Sequence, residues 1–144
     1  MRSPVITTSM KGLGIPSGIY IQRVSPFLNL VDGYDYATAD FIWDDAWHNF
    51  DLSAVIPPEA TQVRFLAELK SDAAGNYLAF CPKNYTGISA HKDRALTSSY
   101  AHQDEFEVEV TTPQKIQYKG KIYSGAITFL EVTVQGWWLQ RPPY

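Results

Sequence analysis

Residues 47–70 read WHNFDLSAVIPPEATQVRFLAELK, and this stretch decides the fold. It opens as a short strand, turns at Asp51-Leu52-Ser53, steps through Pro57-Pro58 and runs into the cleanest strand of the chain. Val63, Phe65, Ala67 and Leu69 fall on one face of that strand, and Arg64, Leu66, Glu68 and Lys70 on the other. Strict alternation with one charged face predicts a half-buried antiparallel strand. The turn has its own logic. Asp and Ser side chains accept hydrogen bonds from nearby amides and fix a turn without a ladder. The proline pair then holds the backbone extended, because each ring locks φ and biases the residue before it.

Downstream, residues 71–76 (SDAAGN) read as a hairpin loop and Tyr77–Cys81 as its return strand, closed by Pro82. Residues 83–105 are polar and irregular, with one short strand expected near Gly87–Ala90 and with His91, Asp93 and His102 on loops. Phe106, Val108 and Val110 alternate with Glu105, Glu107 and Glu109, a half-buried strand with an acidic outer face. Ile116–Tyr118 is a short strand, after which Lys119-Gly120 turns the chain. Residues 126–136 form a long strand with Ala126, Thr128, Leu130, Val132 and Val134 on one face, followed by Trp137-Trp138-Leu139.

Upstream, IYIQRV at 19–24 is a first strand, Asp32-Gly33 and Asp44-Asp45 are turns, and Phe41-Ile42-Trp43 is a short apolar run. Residues 1–18 have no helical period but carry Val5, Ile6, Met10, Leu13 and Ile15, more apolar than a solvated tail. They read either as a disordered tail or as an extended arm lying on a neighbouring subunit, and the apolar residues are the argument for the arm. The count is about eight or nine short strands with no helix, punctuated by Gly and Pro at the spacing of a sandwich or barrel.

A chain of 144 residues is one domain on ordinary priors. Charged residues make up 19%, below the usual figure of about 25%, and aromatics 14%. A formal charge of −3 gives no basic footprint, so no nucleic-acid partner is expected. One cysteine forbids an internal disulfide. No apolar run approaches the roughly 20 residues of a membrane helix, so no membrane insertion is expected. The N-terminus lacks the apolar core of a signal peptide. The Asn84-Tyr85-Thr86 sequon therefore has no secretory route behind it.

Candidate chemistry is sparse. Cys81, His91 and Asp93 could act as nucleophile, base and orienter, but no motif fixes that geometry, and a cysteine in an apolar strand behaves as a small hydrophobe. His48, His91 and His102 lack zinc spacing. Asp44, Asp45, Asp51 and Asp72 could supply calcium oxygens, yet no dense acidic loop is present and turn-capping suits each better. No metal and no cofactor is expected. Alternate residues in a strand are about 6.5 to 7 Å apart, so Glu105, Glu107 and Glu109 satisfy the spacing of a glycosidase pair. A solvated face countered by Lys115, Lys119 or Lys121 across the ladder explains them without a pocket. Trp43, Trp47, Trp137 and Trp138 could stack on sugars or form subunit contacts. Trp137 and Trp138 point to opposite faces of a strand, one to the core and one to an edge or interface. No catalytic residue emerges.

The pattern of Trp47, Phe50–Ser53, Ile56-Pro57, Ala60–Val63, Ala74–Tyr77, Ile116–Tyr118 and Val134–Trp137 resembles small jelly-roll-like β-sandwich domains in virion proteins of tailed bacteriophages. Those domains occur in tail fibres and in head-decoration or head-fibre proteins. The resemblance spans about Trp47 to Trp138, and residues 1–46 lie outside it. It implies a jelly-roll-like β-sandwich; joined to the strand count and the composition of the N-terminal stretch, this gives a single antiparallel β-sandwich at 19–144 with residues 1–18 as an extended arm. It further implies a non-enzymatic structural component of the virion, made in the host cytoplasm. Such a component would form homo-oligomers and bind a neighbouring capsid or tail protein. The assembly contacts expected are Val5, Ile6, Leu13, Ile15, Tyr34, Tyr36, Trp137 and Trp138. The alternative is a carbohydrate-binding module or host-receptor-binding tip, with glycan contacts at Asn84, Tyr85, Asp93 and Tyr100. A hydrolase using the acidic strand ranks last.

Overall fold

The computed structural model describes residues 5–6, 18–23, 34–84, 91–94 and 102–140. In chain order the strands are β1 (Val5–Ile6), β2 (Ile19–Gln22), β3 (Tyr36–Ala37), β4 (His48–Asp51), β5 (Ala60–Ser71), β6 (Tyr77–Pro82), β7 (His91–Arg94), β8 (His102–Glu109), β9 (Lys115–Lys121) and β10 (Ile127–Leu139). Eight of these have four residues or more, in line with the expected number, and β1 and β3 add two residues each. They form an all-β sandwich of two antiparallel sheets. The larger sheet runs β1-β2-β10-β5-β8, with β3 also paired to β10; the smaller runs β4-β9-β6-β7.

The strand read first from the sequence is an inner strand of the larger sheet, next to its β8 edge. β5 pairs with β10 on one side and β8 on the other, and its burial alternates strictly from Gln62 to Ser71. Val63, Phe65, Ala67 and Leu69 are fully buried and meet Phe50, Leu78, Phe80, Ile116 and Tyr118 of the smaller sheet. Phe65 stacks against Phe80 at 5.6 Å and Phe106 at 5.3 Å between ring centroids, and Phe41 meets Tyr118 edge-on at 5.0 Å. Burying one such side chain contributes about 1.5–3 kcal/mol. The Asp51 turn forms as expected: its carboxylate accepts the Ser53 amide at 2.9 Å while Leu52 is fully buried.

Residues 71–76 are not a hairpin. β5 and β6 belong to different sheets, so this loop carries the chain across the sandwich. Residues 122–126 do the same between β9 and β10. The two crossovers are bound to each other. Asn76, fully buried, donates to Ser71 Oγ at 2.8 Å and to the Ser124 carbonyl at 2.9 Å, and its Oδ1 accepts the Tyr123 amide at 2.7 Å. Asp72 accepts the Ala126 amide at 2.6 Å, packed so closely on Gly125 (φ +64°) that a Cβ there would sit 1.8 Å from its oxygen.

Nor does the chain turn at Lys119-Gly120. β9 continues to Lys121, and Gly120 is its penultimate residue, needed there because the Trp43 indole lies on it; a Cβ would come within 2.7 Å of that ring. His91 and Asp93 lie in β7 and His102 begins β8, rather than on loops. The strand expected at Gly87–Ala90 lies outside the described residues. In β10 only Leu130, Val132 and Val134 of the expected face are buried; Ala126 and Thr128 are exposed. A bulge between Val134 and Gly136 then shifts the register, so Trp137 pairs with Val63 on the core face and Trp138 with Gln62 and Tyr20 on the other.

β2 and β3 lie end to end along β10, and a clamp fills the gap between them. The Arg23 guanidinium pairs with the Asp35 carboxylate, which is nearly buried and also accepts the Val134 amide at 2.8 Å. Arg23 donates in turn to the Val134 carbonyl at 3.2 Å.

Candidate functional site

Each carboxylate considered for calcium is committed within the fold. Asp44 accepts the Ala46 amide at 3.1 Å and meets His48 Nε2 at 2.8 Å. That contact with His48, first among several, holds its carboxyl below the usual range. Asp45 accepts the Tyr77 hydroxyl at 2.9 Å and pairs with Lys121 Nζ at 3.4 Å, which lower its pKa in that order. Hydrogen bonds from the Ser53 side chain and amide lower that of Asp51. Among the described residues no group of three or more His, Cys, Asp or Glu is placed to hold a metal ion.

Cys81 is buried and its sulfur accepts the Gln117 side-chain amide at 3.1 Å. Burial pushes the thiol pKa up, the opposite of what activates a nucleophile. Backbone pairing sets His91 opposite Phe80 and Asp93 opposite Leu78. Glu105 and Glu107 are not countered by lysines of β9, which is in the other sheet; Arg64 on β5 reaches them at 3.0 and 4.0 Å. These are exposed pairs on a solvated face, worth at most about 1 kcal/mol each.

The residues expected at an assembly interface divide. Val5 and Ile6 pair with Tyr20 and Ile19 of the same chain. Leu13 and Ile15 lie outside the described residues. Tyr34 is half-buried. Tyr36 packs edge-on to Phe50 at 4.6 Å with its hydroxyl unpartnered, and burial raises the phenol pKa. Trp137 packs against the core, and Trp138, 9% exposed, lies against Tyr20 at 4.6 Å. Of the expected glycan contacts, Asn84 is exposed in a left-handed turn (φ 70°), Asp93 is in β7, and Tyr85 and Tyr100 lie outside the described residues.

A different cluster stands on the outer face of the smaller sheet. Tyr118 and Gly120 face the core, so Lys119 and Lys121 face outward, paired with Ala79 and Tyr77 of β6. Segment 43–48 folds across this end of β9. Asp45 adopts φ 61° and its amide donates to the Gly120 carbonyl at 2.8 Å, with the Trp43 indole donating to the Thr38 carbonyl at 3.2 Å. Trp47 is thereby set under the Lys119 ammonium, 5.0 Å from its ring, and Lys121 lies between Asp45 and the Tyr123 ring, 5.1 Å away. Tyr123 is 62% exposed, yet its amide is pinned by buried Asn76. The sequence names Trp47 as a possible stacking ring and Lys119 and Lys121 as counterions of the acidic strand, but a turn at Lys119-Gly120 would separate them and leaves Tyr123 unmarked; the alternation of Lys119 and Lys121 about Gly120 was the available signal. Two ammonium groups, a carboxylate, the exposed Tyr123 ring and the half-buried Trp47 ring can stack and pair with a ligand.

Comparison with known protein families, curated proteins and solved structures finds no match for this chain.

Proposed function

We propose that this chain is a non-enzymatic structural component of a bacteriophage virion, of the capsid-decoration or tail-fibre type. It acts by self-assembly and by binding a neighbouring virion protein. The observation that carries this reading is the place of β1. Val5–Ile6 forms the outermost strand of the larger sheet, held there by main-chain pairing to β2. A short edge strand can be exchanged between copies, a low-cost route to an oligomer. The motif behind the virion resemblance is compatible, since Leu52, Ile56 and Ala60 are buried and Asp51 caps a turn.

Light scattering on the full chain and on a variant lacking residues 1–18 tests it. The expected result is a closed oligomer that becomes a folded monomer on deletion. A full chain that stays monomeric and binds neither capsid nor tail particles overturns it. A carbohydrate-binding module or host-receptor-binding tip is the second reading, favoured by the aromatic and basic surface around Tyr123.

A further inference from the structure

We infer that the surface formed by Trp47, Lys119, Lys121 and Tyr123 binds a saccharide carrying a carboxylate, such as a hexuronic acid. The inference does not rest on the assembly reading and holds equally for a monomer. Lys119 and Lys121 are alternate residues on one strand face, so their stems leave the backbone about 6.5 to 7 Å apart, within the span of one or two sugar rings. Lys121 already has a carboxylate, Asp45, at 3.4 Å. Lys119 has none within ion-pair distance among the described residues; it rests on the Trp47 ring. A ring holds an ammonium through its face but accepts none of its three N–H donors as a carboxylate would. That donor set is the feature an incoming carboxylate would satisfy.

The neighbours define the rest of the ligand. Tyr123 offers an exposed ring whose backbone is fixed by Asn76, so little ordering cost falls on binding. An aromatic face suits the C–H face of a pyranose. Asp45, its pKa lowered by Tyr77 and then Lys121, is an acceptor for sugar hydroxyls at neutral pH. Asp44 and Asp45 also disfavour a dense polyanion such as duplex DNA, which would bring several phosphates against them. One anionic group with hydroxyls around it matches the mixture of charges; a neutral sugar leaves Lys119 unused.

The test is NMR titration of the full chain with glucuronate, galacturonate, N-acetylneuraminate, glucose 6-phosphate and glucose, following the Trp47 indole N–H and the Tyr123 amide. At least one carboxylated sugar is expected to shift both signals, with glucose at least tenfold weaker. Lys119→Ala and Tyr123→Ala should each weaken binding about tenfold, equivalent to about 1.4 kcal/mol, and leave the thermal midpoint near that of the parent. Arg64→Ala, on the opposite sheet, should leave binding unchanged. Glucose 6-phosphate binding as tightly as every acid sugar would overturn the carboxylate assignment in favour of phosphate. Absence of binding at millimolar sugar, or binding indifferent to both variants, would overturn the site.

Discussion

Two turns of this molecule are fixed by short polar side chains, one dry and one wet. At the crossover junction, Asn76 is fully buried and binds Ser71, Tyr123 and Ser124. At the 44–48 turn, Asp44 and Asp45 are exposed and hold His48, Tyr77 and Lys121. The geometry is equally definite in both, but the energetics are not. Removing a buried partner leaves donors and acceptors that water cannot reach, whereas exposed groups exchange a protein partner for solvent. The junction therefore anchors the fold. The turn shapes a surface.

The contrast breaks first at the junction. Asn76→Ala strands the Tyr123 amide and the Ser124 carbonyl, while the Ser71 hydroxyl keeps Ala73 and Ala126; with the buried side-chain volume also lost it should cost about 3 kcal/mol, and urea unfolding reads it directly. A loss below 1 kcal/mol would mean that water enters and the junction is not dry. Gly125→Ala should cost about 2 kcal/mol, from a side chain forced into the left-handed region and a clash with Asp72, and its urea midpoint should fall accordingly.

Cys81→Ala is expected to cost about 1 kcal/mol, since a small buried group is lost and the Gln117 contact with it. In the parent protein, a thiol reagent should label Cys81 only on unfolding. The smallest effect belongs to the wet turn. Asp44→Asn with Asp45→Asn should move the midpoint less than any of these. Both carboxyls have folded pKa values below 3.8, so what they contribute is present above that pH and lost as pH falls through their folded values. The difference between parent and double variant should therefore shrink as pH drops below about 3.8. A difference that grows in acid would show that the sign is wrong.

The same distinction explains which parts could be read in advance. β5 and β8 each have one solvated face, so Val63 to Leu69 and Phe106 to Val108 alternate with charge and declare themselves. β6 is buried on both sides, Ala79 and Cys81 as fully as Leu78 and Phe80, and its pattern carries no face. The loop after β5 has hairpin composition, Gly75 included, because local turn chemistry is alike whether the next strand returns to the same sheet or crosses to the other. Gly120 resembled a turn for a related reason: its missing side chain answers to Trp43, far away in sequence. The surface around Lys119 and Tyr123 was hidden behind that misreading.

By itself the sequence determined that the protein is all-β, where its alternating strands lie, that Asp51 and Ser53 make a turn, and that β5 is half-buried. These follow from side-chain period and from bonds between residues close in the chain, and neither needs a partner. Tertiary structure alone decided the partition into two sheets, the crossovers at 72–76 and 122–126, the Arg23–Asp35 clamp, the bulge that turns Trp137 inward, and the neighbours of Lys119. Each depends on which strand arrives opposite, and that choice is set by burying Phe50, Phe65, Phe80 and Phe106 against one another rather than by any local pattern.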